Sequence, residues 1–224
     1  MSHTVIVDSE YRKNEYLKSI RFYLDNSNAQ VLFVENSGCD ISKYFVSDIS
    51  RGRLEVITFL GNSFDRNLGK GYGEMLIVKY ACSHSLFFKD ADFIFKVTGR
   101  YKVLNITSFI KYRNRHRQID VIADFVRSLS YVDSRFWGAT PSFFYEFLLS
   151  NSEKVDDGRG VFFEHVLSKS IHMAIQNDYI FRPFKSFPEY VGRSGSEGYV
   201  VSSSLLRLLY RNIKCRIKYI LMTR

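Results

Sequence analysis

The sequence predicts an α/β fold: one domain over residues 1–203 with a mostly parallel central sheet flanked by helices, then a basic amphipathic helix over 204–224. Three observations carry that expectation. The first hundred residues alternate short apolar runs with segments of helical periodicity, the rhythm of strand–helix–strand units. The apolar runs are continuous rather than alternating, as in strands buried on both faces of a parallel sheet. A chain of 224 residues, 46% hydrophobic, builds one sizeable core, and two full domains would be a squeeze.

The elements follow in order. "TVIVDS" (4–9) reads as a strand ending in a carboxylate, and the segment after it sets Tyr16, Ile20, Tyr23 and Leu24 at helical spacing. "AQVLFVENSG" (29–38) and "RLEVITFLGNS" (53–63) are two more apolar strands that break into turn compositions. "FDRNLGKGYG" leads into the apolar helix "EMLIVKYACSHSLFF", and "ADFIFKVTGRY" (91–101) gives a fourth strand. "YKVLNITSFIKYRNRHRQ" carries a short helix with a basic tail, "IDVIADFV" a strand, and "SFFYEFLLSN" a helix after Pro141. Over 160–177, Phe163, Val166, Leu167, Ile171 and Ala174 share one helical face. The Gly/Ser-rich stretch 187–203 is expected to be a loop able to close over a site. In the terminal helix Leu205, Leu208, Leu209, Ile213, Ile217 and Ile220 form an apolar side, with Arg207, Arg211, Lys214, Arg216 and Lys218 around the rest.

Charge and cysteines narrow the function classes. The formal net charge of +9 favours a phosphate-bearing partner: a nucleotide, a nucleic acid or an anionic membrane surface. Three scattered cysteines without a CxxC pair support neither a disulfide framework nor a zinc site, and fit a reducing cytoplasm. No apolar segment follows a basic start, and nowhere do 18 uninterrupted apolar residues occur, so neither an export signal nor a membrane span is expected.

Two stretches carry chemistry. "GKGYGE" (69–74) fails as a dinucleotide fingerprint, which needs glycine at Glu74, and as a P-loop, which needs glycine at Phe64. It is a glycine-rich turn into a helix whose amides and Lys70 either face a phosphate or sugar or simply start that helix. The literal D-x-D, "DAD" at 90–92, precedes the fourth strand, whereas diphosphate-chelating carboxylates are useful where a strand ends at the open sheet edge. At that end stand Lys96, Thr98, Gly99 and Arg100. Fixed cations there neutralise a departing diphosphate without a metal, or else pair with surface carboxylates.

The order of these parts resembles the GT-A glycosyltransferases, whose fold is one Rossmann-like domain that binds a nucleotide-diphosphate sugar. The resemblance covers residues 3–180 in outline. It implies that Asp8, Glu35 and Asn36 lie near the base and ribose, and that "NLGKGYGE" with Lys70 touches the sugar side. "ADFIFKVTGRY" occupies the place of the family's D-x-D strand, with Thr98, Gly99 and Tyr101 toward donor or acceptor. The departure at "TGR" implies a member that needs no metal cofactor, with Mg²⁺ or Mn²⁺ as the alternative. "FKVTGRY" is similar to small bacterial transferases of surface-polysaccharide clusters, O-antigen or capsule. "RFWGATPSFFYEF" (135–147) then falls in the acceptor region, where Trp137 or Phe136 stacks on a sugar ring or packs in the core. "GRGVFFEHVLSK" matches the late acidic motif, making Glu164 the general base with His165 beside it; a lone glutamate at a helix start is otherwise a dipole-stabilising residue.

The resemblance thus implies a cytoplasmic transferase with a nucleotide-diphosphate sugar as donor and a glycan or lipid-linked glycan as acceptor. The terminal helix either lies on the inner face of an anionic membrane or packs on the domain. The rival reading is a nucleic-acid-binding module using "YRNRHRQ" (112–118) and the terminal helix, although no nucleic-acid signature is present. A nucleotidyltransferase would want glycines straight after the first strand, and "VDSEYRKN" has none.

Overall fold

The computed structural model describes residues 9–193, 200–201 and 205–223. The strand expected at 4–8, with Asp8, lies outside the described residues.

Helix α1 (Ser9–Asn26) has no glycine or proline to break it and buries Ser19, Ile20 and Leu24. It covers β1 (Val31–Glu35), α2 (Val46–Ser50) and β2 (Leu54–Thr58), and the two strands pair in parallel from Val31↔Leu54 to Glu35↔Thr58. Next come α3 (Gly69–His84) and α4 (Leu86–Asp90). Ser85 caps α4 by accepting from the Phe88 amide at 2.9 Å, while Glu55 on β2 accepts from the Leu86 and Phe87 amides. A carboxylate on a helix N-terminus meets both the free N–H groups and the positive dipole end. The chain continues through β3 (Ile94–Val97), β4 (Lys102–Val103), α5 (Ile106–Arg115), β5 (Val121–Ala123), β6 (Phe125–Val126), β7 (Tyr131–Val132) and β8 (Phe136–Ala139). After Pro141 the expected helix forms in pieces: α6 (Pro141–Phe143), a π turn at Phe144–Leu148 and a 3₁₀ turn at Leu149–Lys154. Then follow α7 (Phe163–Gln176), β9 (Phe181–Pro183), β10 (Tyr190–Arg193), β11 (Val200–Val201) and α8 (Leu205–Met222).

The architecture is mixed α/β, but the expected mostly parallel central sheet is not what the described strands form. They make several small sheets, the largest ordered β3–β8–β5–β9, with β8 antiparallel to both neighbours and only β5 and β9 parallel. A parallel neighbour needs a long crossover, usually helical, whereas β5 reaches β8 through the β6–β7 hairpin. The returning strand therefore runs antiparallel.

The expected face of α7 is buried throughout: Phe163, Val166, Leu167, Ile171 and Ala174 pack with Trp137, Phe143 and Phe144. A second cluster gathers Phe109, Phe136, Phe184 and Tyr190, and a third lies between α1 and the β1–β2 pair.

Two segments differ from expectation. The loop expected over 187–203 contains strand: β10 pairs with β4 (Tyr190↔Val103) and with β11, while 194–199 and 202–204 lie outside the described residues. A Cβ at Gly192 would stand 2.6 Å from the Arg100 carbonyl oxygen, so only glycine lets β10 come this close. Helix α8 does pack on the domain, though not by its apolar side. The Lys218 ammonium meets Asp124 and donates to the Phe125 carbonyl at 2.7 Å. Asn212 accepts from the Phe187 amide at 2.8 Å, and the Tyr112 and Tyr219 hydroxyls share a 2.8 Å bond.

Helix α1 is tied to β4 through Tyr23, whose hydroxyl donates to the Tyr101 carbonyl at 2.9 Å and accepts from the Val103 amide at 3.0 Å. Burial raises this phenol's pKa well above its ordinary value, which keeps the donor proton in place. Tyr23→Phe strands the Val103 amide without changing shape. Urea unfolding should show a loss of about 1–3 kcal/mol at an unchanged m-value.

Candidate functional site

One cleft is lined by the N-terminal end of α3, the turn after β3, the β6–β7 hairpin and the start of α7. Lys96 organises it. Its ammonium pairs with Glu74 on α3, donates to the Ser134 carbonyl at 2.8 Å and to Thr98 Oγ1 at 3.2 Å, and lies 5.6 Å from the Phe163 ring centre. The role assigned to Lys96 from the sequence needs correction: its charge is compensated by Glu74, so it is not a free cation for a diphosphate. Thr98 is fixed as well, its amide donating to the Arg135 carbonyl and its own carbonyl accepting from the Tyr101 amide, both at 2.9 Å. This turn stops β3 and sends Gly99 against Tyr16, whose ring a Cβ would meet at 3.1 Å.

Glu164 stands in the first turn of α7 and accepts from Ser134 Oγ at 2.8 Å. Burial holds its carboxyl above the usual carboxylate range, with Glu74 adding to the rise; the Ser134 hydroxyl, the helix backbone and Lys96 pull the other way. Across from it, burial and the Glu164 charge push the Tyr131 phenol up to about 12. Arg127 stacks over that ring, its guanidinium 4.5 Å from the centre. Arg127, Ser128 and Leu129 all have positive φ (49°, 57° and 68°), a run that side chains with a Cβ rarely adopt. Ser168 on α7 holds the tip by donating to the Leu129 carbonyl at 2.7 Å. His165 is bound in the start of α7 instead: its Nδ1 accepts from the Phe162 amide at 3.2 Å, and its ring stacks on Phe162 and abuts Tyr131.

Several cations of the cleft have no ion-pair partner among the described residues, Arg66 and Arg127 among them; the two whose charges act on each other are Lys70, which is exposed, and Arg100, which is half-buried. Burial and the neighbouring Arg100 charge lower the Lys70 pKa, and Asp157 opposes them. Asp157 also answers the question of "GKGYGE". Its Oδ2 accepts from the Gly71 amide at 3.0 Å, so a carboxylate, rather than an open anion site, meets the start of α3. Gly69 has φ of 77°, and a Cβ there would fall 2.2 Å from Asp157, which explains the glycine.

Other expected contacts are placed differently. Glu35 is consumed by its own turn, accepting from the Ser37 amide and hydroxyl and from the Cys39 amide, while Asn36 is buried at the cleft edge. Trp137 and Phe136 are 0% exposed, Trp137 lying 5.1 Å from Phe144, so neither can stack on a sugar. Their strand is covered on both faces. Tyr101 is buried too and offers its carbonyl to Ser19 and Tyr23. Among the described residues no three or more His, Cys, Asp or Glu side chains gather to hold a metal ion. The structure brings in Glu74, Ser134, Tyr131 and Asp157, which the sequence reading did not assign to the site. Glu74 stood inside a quoted motif but was read only as a missing glycine.

The described geometry defines a mixed α/β protein with a polar cleft that joins a half-buried carboxylate to several unpaired cations, Lys70 and Arg100 among them. No protein-family model, curated protein or solved structure matches the chain.

The raised pKa of Glu164 has a defined sign in stability. The folded protein holds the proton more tightly than the unfolded chain, so this contribution is complete below the ordinary carboxylate pKa and is lost as pH rises through the folded value. Glu164→Gln escapes that loss. From about pH 4 to about pH 8, melting temperatures should move in favour of the variant. A drift in favour of the wild type would mean that Lys96 and Ser134 outweigh burial.

Proposed function

We propose that this protein is a glycosyltransferase that moves a sugar from a nucleotide-diphosphate donor to a glycan or lipid-linked glycan in bacterial surface-polysaccharide synthesis. One observation carries the reading: the half-buried carboxylate of Glu164, basic for its type, lines the same cleft as the unpaired cations Lys70 and Arg100. Glycosyl transfer needs a base for the acceptor hydroxyl and positive charge where the diphosphate departs. Glu164 takes the hydroxyl proton as the acceptor oxygen bonds to the anomeric carbon. The bond from that carbon to the diphosphate breaks, its electron pair leaves with the phosphate oxygen, and Arg100 and Lys70 stabilise that charge. Lys96 acts as a positioning residue that holds Glu74, Ser134 and through it Glu164. By resemblance alone, the donor's base and ribose meet the cleft edge at Asn36, Glu35 being held by its own turn.

No step in this reading requires a metal cofactor, and transfer is expected to survive EDTA. The nucleic-acid reading has less support, because rings that would stack on bases, Phe109, Phe136 and Trp137 among them, are buried. A cytoplasmic location accords with the donor class; among the described residues no helix is long and apolar enough to cross a membrane.

Nucleoside diphosphates should raise the melting temperature selectively, and a screen of donor sugars should find one that is transferred or hydrolysed. Arg100→Ala should lower turnover by about 2–4 kcal/mol of transition-state stabilisation with folding intact, and Arg100→Lys should recover part of it. Glu164→Gln should lose on the order of 10²-fold or more. Indifference to every nucleotide, together with oligonucleotide binding that falls steeply with salt, would instead establish the nucleic-acid module.

A further inference from the structure

Helix α8 is amphipathic in the inverse sense. A helix packed on a globular domain ordinarily turns its apolar stripe inward. Here the inward side is mainly polar, with Asn212, Lys218 and Tyr219 held by the bonds to Phe187, Asp124, Phe125 and Tyr112, Cys215 6% exposed between them and Met222 packed against the main core at the end. Turned away from the domain are Leu206, Leu209, Ile213, Ile217, Ile220 and Leu221, between 50% and 81% exposed, with Tyr210 among them. At 100° per residue these positions fall within one stripe about 120° wide. Arg207 and Lys214 border it on one side and Arg216 on the other, all three exposed and without an ion pair among the described residues.

We infer that this outward face docks on the surface of an anionic lipid bilayer, the helix lying in the interface plane. Six aliphatic side chains in one exposed stripe exceed what a surface helix leaves in water without a partner. The basic borders select the partner. A second copy laid stripe to stripe would bring the Arg207, Lys214 and Arg216 sets of two chains together, in a protein already carrying +9. A nucleic acid would satisfy the cations but gain nothing from a central aliphatic stripe. An anionic membrane satisfies both, taking the stripe into the acyl boundary and the cations at the headgroups. The polar anchors on the inner side remain free to hold the domain against the helix, so docking requires no unfolding. This inference does not depend on the transfer chemistry.

The experiment is flotation of the full chain with phosphatidylcholine vesicles, with and without phosphatidylglycerol. Binding is expected only to the anionic vesicles and should fall with salt. Ile213→Asp with Ile217→Asp should reduce partitioning by about tenfold or more, and Arg207→Glu with Lys214→Glu and Arg216→Glu should do so comparably. Both variants alter exposed positions, so circular dichroism melts should match the wild type. Equal binding to neutral vesicles, no binding to either, or variants that bind as the wild type does would overturn the inference. So would a dimer in sedimentation that Ile213→Asp dissociates when vesicle binding is absent, which would assign the face to a second copy. A Glu164→Gln control that floats normally while losing transfer separates the docking face from the catalytic reading.

Discussion

The cleft depends on one ammonium group. Lys96 belongs to β3 and ties down Glu74 from α3, the Ser134 carbonyl before β8 and, through the Ser134 hydroxyl, Glu164 at the start of α7. Three separate elements are thereby set around a single charge. Lys96 also stands electrostatically between two carboxylates, since Glu74 raises and Lys96 lowers the Glu164 pKa. Removing a partner from a partly buried pair leaves an uncompensated charge, which is more damaging than the net worth of the pair. Loss of Lys96 would therefore leave Glu74 and Glu164 repelling each other in the same cleft.

The topology explains why the cleft is open at this place. Strand β3 ends the four-stranded sheet, β1 belongs to a separate parallel pair among the described residues, and both line the cleft. Helix α3 bridges them from one side, started by Asp157 rather than by solvent. The β6–β7 hairpin closes another side with three residues in left-handed backbone. Such strain persists only where surroundings over-determine it, and the bond from Ser168 to Leu129 and the Arg127–Tyr131 stacking do so. The hairpin sets Arg127 over the Tyr131 ring and that phenol beside Glu164.

Lys70 and Arg100 contrast with the compensated charges around them. Lys96 has Glu74, Arg135 is clasped by Asp133 with Nε donating at 2.9 Å, and Lys218 meets Asp124. Lys70 and Arg100 have no such partner among the described residues, and the Arg100 charge lowers the Lys70 pKa, so an anion bound by both relieves a repulsion. Along α8 the arrangement is reversed: polar groups serve as anchors, and the aliphatic groups are the ones left without partners.

Local patterning made the α7 face, the apolar runs of β1, β2 and β3, and the basic terminal helix legible, because burial periodicity and continuous apolar runs are written in neighbouring residues. The same patterning made the turn at Thr98–Arg100 and the glutamate at the start of α7 stand out. It could not show that β8 returns antiparallel, since strand direction follows from the β6–β7 hairpin's path in space. Nor could it show that Lys96 is neutralised by Glu74, 22 residues away, or that Trp137 is covered on both faces. Periodicity identified an apolar and a basic side of α8, yet which side meets the domain was decided by Asp124, Phe187 and Tyr112, residues distant in the chain. Sequence by itself determined which residues share a face and where elements end, because those are local preferences of the backbone and solvent. Only tertiary structure decided which charges stay unpaired and which rings stay accessible, because pairing and burial depend on groups the chain brings together from far apart.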